Sequence, residues 1–391
     1  MMGRRGDSGT ARHAAAVGRL CLAWGLCLVL LVLAVPLGVR VGAGVAGLRF
    51  LGAFLGGQAL KFDSGPDPVQ TPKPDPAAGR PPRREPVLLA GGAAADLWRP
   101  RGAPPHLGLV LVHGLTPDGK DDPRLAGAAA LLARGGLAVL VPDLPAMRGQ
   151  RLSPDDAAVV AAAIRRLATD PRVRGEGLVV IAVSVGTAPA VAALADSELD
   201  ARVRLVATLG GHAEARELVR YFTTGAWGFG TVAGRVDLDP SLARAFLTLN
   251  LDIVRDPVDR AAVAAGLSGR PLPPEVGPEA RAVLAVLANR DPARVDALLA
   301  ALPPGTHALL DALSPARHVR RLTSRLLLVH GRDDPAIPFT ESLRLAAVAD
   351  PARSRLVLVD LVGHVEGRLP AWREVRDLLR LWGGVYEIFR G

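Results

Sequence analysis

Cysteine is almost absent from this chain. Only Cys21 and Cys27 occur in 391 residues, and both fall within one apolar run near the N-terminus. The rest of the chain therefore has neither a disulfide framework nor a thiolate metal site. A disulfide-free domain is stable on either side of a membrane, so this scarcity leaves the compartment open. Aromatic residues make up only 4%. The formal charge of +9 is uneven, because residues 1–85 carry +6 of it and the remainder is close to balanced. With no RNA- or DNA-binding motif beside that charge, nucleic acid is excluded as a partner. There is no P-loop, and the lone G-x-G-x-x-G, GAGVAG at 42–47, lies in the apolar stretch before the spacer and opens no strand-to-helix unit, so nothing asks for a nucleotide or flavin, and no internal repeat is present. What the chain does have is apolar content, 49% against 22% charged residues, which is enough for a sizeable core.

Residues 1–19 form a basic segment containing Arg4, Arg5, Arg12 and Arg19. Residues 20–39, LCLAWGLCLVLLVLAVPLGV, carry no charge over 20 residues, the length a helix needs to cross the hydrocarbon core. Only Arg40 and Arg49 follow closely, so the charge bias predicts a single-pass anchor with the bulk of the chain on the non-cytoplasmic side. A cleaved signal peptide and secretion is the competing reading. Residues 40–86 read as a linker. An apolar, glycine-rich stretch comes first, expected at the membrane interface or as a second weak membrane segment. Then Asp63–Pro86 holds eight prolines in 24 residues and reads as an extended spacer.

From Val87 the pattern changes. Continuous apolar runs at 108–113, 137–143, 177–183 and 204–210 alternate with helical stretches at 123–135, 154–170 and 187–196. The alternation resumes at 325–331, 341–349, 354–360 and about 371–381. Such runs predict a doubly wound α/β fold whose mostly parallel sheet is covered on both faces. The intervening residues 211–319 are too long for a loop, and their helical pieces predict an inserted cap. The core is then 87–210 plus 320–391.

Functional groups in an open α/β sheet collect at the carboxyl ends of its strands. Those ends carry His113 and Gly114, Ser184 in AVSVG, Asp333 and Asp334 in HGRDDPAIP, and His364 in VDLVGHVEG. From about Val87 onward the chain resembles the α/β-hydrolases, which use a nucleophile elbow and a triad in the order nucleophile, acid, histidine. The elbow departs from G-x-S-x-G only in placing Ala182 at the first small position, where the turn tolerates little bulk. The resemblance implies Ser184 as nucleophile and Asp334 as acid, selected over Asp333 by Gly331 and Pro338. Pro335 also biases Asp334 to an extended conformation. Of the eight histidines only His364 follows the last strand in a short glycine-containing loop, so it is the expected base. Val185 N–H and, by resemblance, Leu115 N–H are the expected oxyanion donors.

His113, Gly114, His212, Tyr221 and Phe222 are candidates for lining the site. Tyr221, Phe222, Trp227 and Phe229 cluster at the start of the cap and serve either an apolar acyl pocket or the packing of cap on core. The implied activity is a membrane-tethered serine hydrolase acting on an ester, thioester or amide of a small-molecule or lipid acyl substrate. No metal and no cofactor is expected. The alternatives are an acyltransferase on the same triad and a non-catalytic interaction protein. A dehalogenase would need a carboxylate where Ser184 stands.

Overall fold

The computed structural model describes residues 42–53, 81–273, 275–360 and 375–390. The proposed anchor at 20–39, most of the proline-rich spacer and His364 lie outside the described residues.

The strands, in chain order, are β1 (Arg83–Leu88), β2 (Ala94–Arg99), β3 (Leu107–Val112), β4 (Leu137–Pro142), β5 (Leu178–Val183), β6 (Val203–Leu209), β7 (Ala226–Phe229), β8 (Val232–Arg235), β9 (Arg325–Gly331) and β10 (Ser354–Val359). Eight of them form one sheet in the order β1-β2-β4-β3-β5-β6-β9-β10. The pairs β1/β2 and β2/β4 are antiparallel and the rest are parallel.

All residues of β3 and β4 are buried because helices cover both faces. The period-2 alternation sorts them cleanly. Val110 and Val112 face the helices Asp156–Ala168, Thr187–Ala193 and Thr340–Val348. Leu109 and Leu111 face Pro123–Arg134 and Val375–Phe389. The helix Pro123–Arg134 starts where its composition says it should: Asp122 accepts from Arg124 N at 2.9 Å, and Pro123 takes the first position.

The fold corrects the expected boundaries in three places. The sheet begins at Arg83, four residues before Val87, so Arg83–Pro86 belong to a ladder and not to a spacer. Pro86 is tolerated because β1 is an edge strand and needs fewer donors. Residues 42–53 are helical and pack on the domain, which corrects their assignment to a linker or membrane segment. Ala43 and Leu51 are buried in the cluster that contains Phe389, and the Phe50 and Phe389 rings lie 6.2 Å apart. Gly47 lets this helix lie against Val385, where an added Cβ would stand 3.4 Å from Val385 Cγ1. Among the described residues no helix is long and apolar enough to cross a membrane. Finally, the insertion between β6 and β9 is helical but also contains the hairpin β7–β8, whose short, glycine-containing strands carry no alternating pattern.

The cap has its own apolar cluster, with Val254, Val263, Ala280, Val283 and Leu299 at its centre. Two of its helices cap each other. Asp259 Oδ2 accepts from Glu279 N and Ala280 N at 2.9 and 3.1 Å, while Glu279 Oε2 accepts from Arg255 N and Asp256 N at 3.0 and 3.1 Å. Both carboxylates are buried.

Candidate active site

Ser184 follows β5 directly, and its φ is +56°. Gln150 is the only other non-glycine residue with positive φ among the described residues. The left-handed region costs an L-residue roughly 1–2 kcal/mol, so the surroundings must enforce it. They do so by crowding. A Cβ on Gly186 would overlap the carbonyl oxygen of His113, and a Cβ on Gly114 would lie 2.9 Å from Ser184 Cβ. The backbone at the end of β3 therefore presses against the turn after β5, and only glycines fit between them. On the other side Ala182 is fully buried within β5, and its methyl is accommodated. Thr187 Oγ1 donates to Ser184 O at 2.8 Å and fixes the carbonyl at the start of the next helix. The result is a sharp strand-to-helix turn with the serine side chain displayed at the carboxyl edge.

Two strands away, the turn after β9 separates the two candidate acids. Asp333 is exposed and Asp334 is buried. Asp334 Oδ1 accepts from Ala336 N and Ile337 N at 2.8 and 3.0 Å, and Oδ2 lies 3.3 Å from His330 Nε2. His330 is fully buried between Ile337 O, 2.9 Å from Nε2, and Ser342 Oγ, 2.7 Å from Nδ1. The carbonyl can only accept, so Nε2 carries the proton and faces the carboxylate. Tyr221 donates to Pro335 O at 2.8 Å and clamps the same turn from the cap side. β10 pairs with β9 up to Val359↔Gly331, so β10 ends beside this turn.

Above these groups lies a cavity of about 730 Å³ between core and cap. Ser184, Val185, Gly114 and Leu115 lie on its wall together with His113, His212 and Phe222. Most of the remaining lining is aliphatic, and Phe50 of the helix at 42–53 contributes to it. Tyr221 does not line the cavity; its ring is buried and its hydroxyl is used on Pro335. Trp227 packs on Phe339 at 5.6 Å, and the Arg344 guanidinium lies 5.1 Å from the centre of the Phe229 ring. Of the four clustered aromatics, Phe222 alone is on the wall and the others pack.

No family model and no curated protein sequence matches the chain. Solved structures with a similar arrangement include the α/β-hydrolase GrgF from Penicillium sp. sh18, at 15% identity over 78% of this chain and 98% of that one, with a TM-score of 0.46. A 2,6-dihydroxy-pseudo-oxynicotine hydrolase aligns at 14% identity over 79% and 68%, with a TM-score of 0.44. The dienelactone hydrolase of Anabaena variabilis aligns at 16% identity over 77% and 96%, with a TM-score of 0.41. The sheet order, the strained serine after β5 and the insertion after β6 decide the architecture. The chain has the α/β-hydrolase fold.

Within that fold each remaining candidate has a definite place. Val185 is the second residue of the 3₁₀ turn Ser184–Gly186, too near its start for its N–H to find an acceptor within the turn. Leu115 follows the Gly114 crossing and sits on the same wall. His113 is buried and structural: Nδ1 donates to Gly114 O at 2.7 Å and Nε2 accepts from Leu144 N at 3.1 Å. Burial pushes its pKa down, and the ring stays neutral while it braces the loop that carries Leu115. Among the described residues no cluster of three His, Cys, Asp or Glu side chains could hold a metal ion. Two contributors were not singled out from the sequence. His330 orients the acid turn through partners up to twelve residues away. Phe50 reaches the wall from a segment that lies before β1.

Proposed function

We propose that the chain is a serine hydrolase acting on a carboxylic ester, through an acyl-enzyme on Ser184, His364 and Asp334. The observation that carries this reading is the enforced left-handed conformation of Ser184 at the carboxyl edge, on the same cavity wall as Val185 and Leu115. A serine that only capped the following helix would not need that strain. In this reading His364 takes the proton from Ser184 Oγ as the oxygen attacks the substrate carbonyl. Asp334, its Oδ1 held by two backbone N–H groups, keeps the imidazole in the productive tautomer and stabilises its charged form. Val185 N–H and Leu115 N–H take the developing oxyanion. His364 then returns the proton to the leaving alcohol, and water repeats the sequence on the acyl-enzyme. The aliphatic wall supports an apolar acyl group. Residues 20–39 would hold the domain at a membrane, on the non-cytoplasmic side.

The test is labelling of the detergent-solubilised full chain with a fluorophosphonate, followed by peptide mapping. Modification at Ser184 that is lost in Ser184→Ala and falls sharply in His364→Ala is the expected result. A folded chain that takes no label at Ser184 would overturn the reading. Retention of the chain in alkaline-washed membranes tests the anchor separately.

A further inference from the structure

One helix of the cap, Pro240–Leu249, turns apolar side chains outward. Leu242, Phe246 and Leu249 are 51%, 38% and 48% exposed. Their i, i+4, i+7 spacing puts them on one face, while Ala243 and Leu247 on the adjoining face are buried. Leu242 and Phe246 also line the cavity, so the stripe stands at its rim. Asn250, the next residue, accepts from Leu152 N at 3.0 Å in the segment that follows β4, which places the stripe at the carboxyl edge of the sheet. A single exposed leucine needs no explanation, but an apolar stripe at the rim of an apolar cavity marks a surface that is covered in use.

The course of the chain before β1 points to what covers it. The helix at 42–53 runs parallel to Val375–Phe389: Trp382 Nε1 donates to Gly44 O at 3.4 Å, Gly47 meets Val385, and Phe50 meets Phe389. Val375–Phe389 starts at the carboxyl edge, where Asp360 N, just past β10, donates to Asp377 Oδ2 at 3.3 Å. It ends at the amino edge, where Arg204 at the start of β6 donates to Glu387 O and Ile388 O at 2.9 and 2.8 Å. The helix at 42–53 therefore begins on the side of the carboxyl edge, and only Arg40 and Val41 separate it from the uncharged run 20–39. A membrane that holds this run lies toward the edge over which the cap and its stripe stand. The exposed charges beside the stripe, Arg235, Asp237, Asp239 and Arg244, are of both signs, so they favour neither an anionic nor a cationic partner.

We propose that Leu242, Phe246 and Leu249 rest on the bilayer that residues 20–39 occupy, so that the cavity opens toward lipid and its substrate is an ester dissolved in that bilayer. This rests on the reading of 20–39 as an anchor and, for the substrate, on Ser184 as the nucleophile. An amphipathic helix lying in the interface buries its apolar face there, and the gain scales with the apolar area covered. An apolar ester passing from lipid to an aliphatic wall is never exposed to water on the way.

The experiment uses the full chain in phosphatidylcholine vesicles, with Cys21→Ser and Cys27→Ser and one fluorophore-labelled cysteine. The label is placed by Leu249→Cys or, as the control, by Ala352→Cys in the exposed turn before β10 at the amino edge. Brominated acyl chains should quench the first label at least about twofold and leave the second unchanged, at low and high salt alike. No quenching at 249, equal quenching at both positions, or a chain that does not float with the vesicles overturns the proposal. Quenching at 249 by a second labelled chain and not by bromine would put another copy of the protein on the stripe, and overturns it too. The second readout is Leu249→Gln, at a position off the cavity wall. Turnover of p-nitrophenyl palmitate dissolved in the vesicles should fall about fivefold, with turnover of water-soluble p-nitrophenyl butyrate unchanged. Palmitate turnover equal to that of the parent chain overturns delivery from the lipid and leaves the hydrolase standing. If fluorophosphonate finds Ser184 inert, the hydrolase reading falls, and the quenching alone decides the orientation.

Discussion

The core and the cap contribute to one cavity, but opposite means hold their contributions in place. On the core side, backbone presses on backbone: the end of β3 meets the turn after β5 so closely that Gly114 and Gly186 cannot carry a side chain, and Ser184 is forced into the left-handed region. The cap has one such approach, Gly225 against the carbonyl of Val236, but it lies at the hairpin β7–β8 and not on the cavity wall. Its helices pack on a small aliphatic cluster, and buried carboxylates close their first turns, as in the mutual capping of Asp259 and Glu279. Reacting atoms must be fixed to fractions of an ångström, which close-packed backbone can do. A wall that selects a substrate needs only shape and a few polar points, which exchangeable side chains can supply.

The sharpest way to break this contrast is Gly186→Ala. The added methyl must displace the His113 carbonyl, so the elbow and the Leu115 loop should shift together. A stability loss of about 3 kcal/mol is expected, with kcat/KM down by at least about 100-fold. Thermal melting and ester turnover would check it, and unchanged values would mean that crowding does not shape the elbow.

Asp259→Ala probes the other side. It leaves Glu279 N and Ala280 N buried without an acceptor, at a cost of about 1–3 kcal/mol. The loss should stay within the cap. Hydrogen exchange would rise across 257–288 while β5 keeps its protection. Equal loosening of β5 would show that core and cap are one cooperative unit.

The smallest effect is expected at Asp156, a buried carboxylate on the core side that accepts from Ala146 N and Met147 N at 3.4 and 3.3 Å. Burial pushes its pKa up to about 6, against the ordinary value near 4. The folded chain therefore binds a proton more tightly than the unfolded chain does. Stability from this group falls as pH rises from about 4 to about 6 and then levels off. Asp156→Asn should flatten that decline, a difference of about 1–2 kcal/mol between pH 4.5 and 7 in urea unfolding.

Much of the core could be read from the residues, because strands buried on both faces are continuous apolar runs and β3, β4, β5 and β9 are of that kind. β1 and β2 escaped notice for the converse reason. β1 stands at the edge, and both strands set charged residues among their apolar ones, as where Arg99 Nε meets Glu85 Oε2 at 2.8 Å. Asp334 was preferred over Asp333 from Pro335 and the turn pattern, and the fold buries Asp334 while Asp333 stays exposed. The roles of His330 and Tyr221 could not be read. Each acts through a partner that only the fold brings near, and an aromatic residue near a site in sequence carries no sign of which way it faces.

The docking of residues 42–53 has a practical consequence for preparing the protein. A recombinant fragment starting at Val87, where the composition changes, would lack the first four residues of β1. It would also lack the helix that covers Val385 and Phe389, and it would present this bared apolar surface to other copies of itself. Such a fragment would precipitate for reasons unrelated to its chemistry, and its inactivity would say nothing about Ser184. A fragment that starts upstream of the helix at 42–53 keeps that helix in place against Val375–Phe389.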